Sequence, residues 1–159
     1  IDGVPYWDGG YMGNPALFPL YGKTGTDDIV VIQINPIERK GAPRSAQDIQ
    51  NRMNEISFNA SLLKELRAID FVDRLIAQDK LSTEHYRPVK VHLIENEAAL
   101  KPMGASSKMN VEWAFLTRLR DIGRDTAAAW LDANYDRIGK ESTIDLRAMF
   151  QGIGAEHQG

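Results

Sequence analysis

The sequence contains no cysteine, which excludes disulfides, thiolate metal sites and a cysteine nucleophile. It also lacks any apolar run near the roughly 20 residues that a membrane-spanning helix needs. Lysine and arginine number 19 against 22 aspartates and glutamates, a net charge of -3. The basic excess that marks a nucleic-acid surface is therefore missing, and no nucleic-acid partner is expected. The three histidines, His85, His92 and His157, show no metal-ligand spacing with one another or with a carboxylate. Neither a metal nor a cofactor is expected. Internal repeats and low-complexity tracts are absent as well.

What remains is a chain of 159 residues, 43% hydrophobic, enough for one domain with a core. It opens on Ile1 rather than Met, directly into "IDGVPYWDGG", and is expected to be a portion of a longer protein. Gly3 to Trp7 reads as a short strand. Asn14-Pro15 places a favoured cap before a residue suited to the first helical position, so "NPALFPL" is expected to be a short helix stopped near Pro19. Ile29 to Ile34 is a β-branched run of the kind buried on both faces of a parallel sheet. A long helix is expected from about Ala46 to Gln78, with Met53, Ile56, Leu63, Leu66, Ile69, Val72 and Ile76 forming its apolar stripe. Val89 to Glu95 is another strand. A second long helix follows from about Val111, capped by Asn110, to Ile138, stopped by Gly139. "STIDLRAMF" reads as a last helix with a capping box of Ser142 and Asp145, before a frayed tail.

This order implies an α/β fold with a partial, mostly parallel sheet and long flanking helices. Three strands make a poor free-standing parallel sheet, because its faces and edges need cover. The architecture is expected to be incomplete, with Ile29 to Ile34 near the contact with whatever completes it.

The stretch "YWDGGYMGNPALFPL" sets Asp8 between bulky aromatics and the pair Gly9-Gly10. Taken alone, Asp-Gly-Gly is most simply a turn in which the carboxylate bonds its own downstream amides. Continued into "NPALFPL", it resembles the C-terminal signature of the patatin-like phospholipases. "RMNEISFNASLLKELRAIDFV" and "VKVHLIE" resemble the helical extension that follows the patatin domain in one bacterial subgroup. The resemblance covers most of the chain and implies the C-terminal portion of a three-layer patatin-like fold. Residues 1–40 would end the catalytic domain, and residues 41–159 would form a mainly helical extension with one further strand.

The activity implied is hydrolysis of lipid acyl esters by a Ser-Asp dyad, with Asp8 as the catalytic carboxylate and Gly9 and Gly10 as its supporting turn. The expected location is the cytoplasm, with peripheral contact to a membrane or lipid surface as a further option. In such enzymes the serine occupies a Gly-x-Ser-x-Gly elbow, and upstream glycines supply oxyanion-hole amides. This chain has neither. The expected partners are thus a lipid or acyl-ester substrate and an N-terminal catalytic portion that brings the nucleophile, with homo-oligomerisation as another way to cover the sheet. The chain alone is expected to be inactive. The rival reading is a non-catalytic α/β interaction module that binds a protein partner or a lipid surface.

Other signals are weaker. His92 lies inside a strand and reads as a packed residue, whereas His85 and His157 sit in a polar loop and in the tail. Gly22-Lys23-Thr24 invites a phosphate-loop reading, but Leu17 stands where the first glycine would be required. Arg118, Arg120, Arg124 and Arg137 interleave with Asp121, Asp125, Asp132 and Asp136, the pattern of a solvated helix face. Trp113, Phe115, Trp130 and Tyr135 read mainly as cover for the sheet, with a lipid-facing patch as the alternative.

Overall fold

The computed structural model describes residues 1–21 and 24–155. Gly22 and Lys23 of the Gly-Lys-Thr motif, and His157, lie outside the described residues. Two parallel strands, β1 (Asp28–Gln33) and β2 (Lys90–Glu95), form the sheet. They pair in strict register, Asp28 opposite Lys90 through Gln33 opposite Glu95. Between them in sequence runs α1 (Ala46–Ala77), the long crossover that a parallel pair requires. After β2 come the single turn α2 (Glu97–Leu100), the long α3 (Trp113–Asn134) and α4 (Leu146–Ala155). Strand, helix, parallel strand: the arrangement is of the α/β type, with a small sheet.

Helix α1 starts where its sequence says it should. The Ser45 hydroxyl accepts from the Asp48 amide at 3.1 Å, and the Asp48 carboxylate accepts from the Ser45 amide at 3.2 Å, a complete capping box. Its buried stripe is Asn59, Leu62, Leu66 and Ile69, spaced at three and four. This corrects the wider stripe drawn from periodicity. Leu66 and Ile69 belong to it, but Met53 and Ile56 are exposed. In that half of the helix the packed side chains are polar, Asn51 against Gly104 and Glu55 against Arg39, and these apolar positions face solvent.

The core joins that stripe to Ile29, Val31, Val91 and Leu93 from the strands, with Leu17 and Leu146 closing its ends. It therefore draws on residues from both sides of position 40. Tyr21 packs at its margin and donates to Glu65 at 2.7 Å. Burial, reinforced by the Glu65 carboxylate, pushes the Tyr21 hydroxyl above its ordinary range.

Three expectations for the chain ends are corrected. Gly3 to Trp7 is not a strand; Val4 N–H turns back to the Ile1 carbonyl at 2.9 Å, and among the described residues no neighbouring strand satisfies the rest, so the described sheet has two strands. Asn14-Pro15 does not open a helix. A single 3₁₀ turn, Phe18–Leu20, forms around Pro19, and the Asn14 amide is taken by the Ser61 hydroxyl on α1 at 3.1 Å. Ser142 does not cap α4, because its hydroxyl accepts from the Val91 amide at 3.0 Å. Asp145 caps that helix alone, accepting from the Ala148 amide at 2.9 Å.

Helix α3 is shorter than expected at both ends. Asn110 is not its cap but accepts from the Glu112 amide, and Glu112 is the residue that precedes the first turn. Gly139 does end this region, after a 3₁₀ turn at Tyr135–Arg137. Its φ of +81° is one that a side chain rarely tolerates.

One face of β1 is uncovered. Ile29, Val31 and Gln33 point to α1 and are buried, whereas Val30, Ile32 and Ile34 are 48%, 71% and 62% exposed. On β2, by contrast, both faces are covered: Val91, His92 and Leu93 are all buried, with α3 packed over the strand. Among the described residues no strand pairs with the other edge of β1. The run expected to need cover on both faces has it on one.

Candidate functional site

Asp8 stands immediately before a 3₁₀ turn, Gly9–Tyr11. Its Oδ1 accepts from the Gly10 amide at 2.8 Å, the two-residue reach of an Asx turn. A Cβ on Gly10 would come within 3.1 Å of that oxygen, so glycine there lets the backbone close on the carboxylate. Gly9 is different, since a Cβ there would meet open space. Trp7 and Tyr11 meet edge to face across the turn, centroids 5.8 Å apart, and Asp8 itself is exposed. Among the described residues, no serine or histidine bonds to it. The turn thus presents a carboxylate with one oxygen fixed and the other open to solvent.

The remaining candidates scatter. His85 is exposed in the loop before β2. His92 is fully buried, as a packed strand residue should be, with its Nε2 2.8 Å from Asp28 Oδ1 and the edge of Trp130 beside it. Trp113 and Tyr135 are exposed, whereas Phe115 and Trp130 are half-buried, so the four do not form one apolar patch. Trp130 covers the sheet, with its ring edge to face with His92. The interleaved charges of α3 lie mostly on an exposed face. No group of residues among those described is arranged to hold a metal ion.

Sequence reasoning did not find a cleft between the sheet and α3. A cleft of about 450 Å³ opens at the carboxyl ends of β1 and β2, between the strands' outward face and α3. This is where open parallel sheets place their ligands. Its walls include Ile32, Ile34 and Ile94 from the strands and Leu119 and Ile122 from α3. Polar groups gather at the strand ends. Asn96 ties β2 to α3 through a 2.8 Å bond to the Thr126 hydroxyl and caps α2 by accepting from the Ala99 amide. Asn59 donates to the Pro36 carbonyl at 2.7 Å and pins the chain leaving β1. Burial, reinforced by the nearby Glu97, raises the Glu95 carboxyl above its usual range. The signal in the sequence was modest: each apolar run ends in polar residues, Gln33-Ile34-Asn35 and Glu95-Asn96.

The far side of the cleft is held by Arg39, whose guanidinium grips Glu55 at 2.6 and 3.0 Å and donates to the Lys101 carbonyl at 2.8 Å. Such two-pronged pairs fix geometry as well as charge. The Asp8 turn contributes nothing to the cleft's lining. No described helix is long and apolar enough to cross a membrane. Compared with protein-family models, curated proteins and solved structures, the chain matches none.

Proposed function

We propose that this chain is the C-terminal portion of a patatin-like serine acyl hydrolase of lipid esters, and that it contributes Asp8 to a Ser-Asp dyad. The observation that carries the reading is the state of the Asp8 carboxylate. It is exposed, oriented by the Gly10 amide and otherwise unengaged among the described residues, as a base must be if its serine comes from another part of the protein. The two paired strands and their crossover helix would be the margin of a larger three-layer sheet, and the unpaired edge of β1 its junction with the nucleophile-bearing portion.

In that assembly the serine proton moves to Asp8 as Oγ attacks the acyl carbonyl. The ester C–O bond breaks, the alcohol leaves with the proton, and water releases the acyl group by the reverse transfer. Developing negative charge on the carbonyl oxygen needs backbone amides that this chain does not supply.

The test compares two preparations on a short p-nitrophenyl ester. The isolated chain shows no turnover above the buffer rate. In the protein that carries a Gly-x-Ser-x-Gly elbow, Asp8→Asn lowers kcat by ~10² to 10⁴ with an unchanged circular dichroism spectrum. Near-normal turnover in that variant would reduce Asp8 to an ordinary Asx turn. The second reading, a non-catalytic module that binds a partner, is favoured by the exposed apolar residues Val30, Ile32 and Ile34 and predicts no esterase activity in any context.

A further inference from the structure

We propose that the cleft between α3 and the strand pair binds a free fatty acid, its aliphatic chain lying along the cleft and its carboxylate meeting Lys108. The volume of about 450 Å³ falls within the range of small-ligand sites. Ile32, Ile34, Ile94, Leu119 and Ile122 make the walls, and no aromatic ring lines the cleft. A flat ring system would gain from aromatic faces to stack on. A flexible chain needs only aliphatic surface.

Charge selects the head group. Lys108 lines the cleft and is exposed. Its ammonium lies 4.3 Å from the centre of the Phe58 ring and makes no ion pair among the described residues. The carboxylates nearby do not cancel it. Of the two carboxylates that line the cleft, Glu55 is already held by Arg39, and burial raises the Glu95 carboxyl above its usual range. A lysine on the lining of an aliphatic cleft, with no ion-pair partner among the described residues, complements an amphiphile with one negative charge at its end.

Gly123 gives a clean test. It lies on the α3 wall, and a Cβ there would meet nothing within 4 Å. Gly123→Leu therefore adds side-chain volume on the cleft wall from a position with room for its first carbon, and leucine favours a helix over glycine. Titration of the full chain with monomeric decanoate, followed by calorimetry and amide NMR shifts, should show saturable binding centred on residues 119–127. Gly123→Leu should weaken it by about tenfold or more through lost cleft volume, while the protein melts no lower than the parent. Lys108→Gln should weaken decanoate by about three- to tenfold, as expected for one charge-assisted contact, and leave 1-decanol unchanged.

Equal binding of decanoate by the parent and Gly123→Leu would overturn the proposal. So would a Lys108→Gln effect that is the same for decanoate and decanol, or binding only to phosphatidylcholine vesicles. Asp8→Asn should leave decanoate binding unchanged, so this inference and the dyad reading fail separately.

Discussion

Nε2 of His92 on β2 stands 2.8 Å from Oδ1 of Asp28 on β1, two residues out of register along the parallel pair. The same oxygen accepts from the Gly139 amide at 2.7 Å. One carboxylate therefore joins both strands to the turn that ends the α3 region. Burial opposes the charge on Asp28. The His92 hydrogen bond, the Gly139 amide and the nearby Lys90 outweigh that penalty and hold the carboxyl below its usual range. With the carboxylate ionised, the proton of the pair sits on His92 Nε2.

Asp28→Ala leaves the buried His92 ring and the exposed Gly139 amide without their acceptor. Removing the acceptor of a buried donor costs about 1–3 kcal/mol, so urea unfolding at neutral pH should show a loss of that order. A lowered native pKa supplies stability that is present above the unfolded value of about 3.9 and is lost as pH falls through the native value. The gap between parent and Asp28→Asn should accordingly narrow below about pH 4. A pH-independent gap would mean that the charge contributes nothing.

Glu95 has the opposite sign. Its carboxyl is raised by burial and by Glu97, so the protonated form is preferred in the fold and stability is lost as pH rises through the raised value. Glu95→Gln should raise the thermal midpoint at pH 7 and lose that advantage in acid. A variant that melts lower at pH 7 would show that the carboxylate has a partner it needs.

Leu66 is fully buried at the centre of the α1 stripe. Leu66→Ala should cost about 2–5 kcal/mol, the transfer term plus the cavity left behind. Met53→Ala, at an exposed position of the same helix, should change stability by less than about 0.5 kcal/mol. Equal losses at the two positions would mean that the helix packs along its whole length.

An uncovered strand edge with exposed apolar residues is a template for pairing. The isolated chain should self-associate across a micromolar dilution series in analytical ultracentrifugation. Val30→Lys puts a charge on the exposed face of β1, outside the fatty-acid cleft, and should shift the population toward monomer. A parent chain that sediments as a monomer throughout would show that this edge needs no cover.

Local chemistry made much of the skeleton legible. Both strands and α1 are written in β-branched runs and in 3.6-residue spacing, and Gly139 marks its stop because a left-handed turn needs no side chain. Local signals failed where the outcome depended on partners distant in sequence. Gly3 to Trp7 has strand composition but no neighbour to bond. Ser142 and Asp145 carry a capping pattern, yet the Ser142 hydroxyl is claimed by Val91, 51 residues away. Met53 and Ile56 keep the apolar period but face solvent.

For the sites the division is sharper. The sequence by itself determined the Asp8 turn, because its hydrogen bond spans two residues and needs only glycine next to it. The pairing of Asp28 with His92 spans 64 residues, and the cleft draws its walls from residues 32 to 127. Only the tertiary structure decided those two, because strand register and the seating of α3 bring together groups that no local pattern connects.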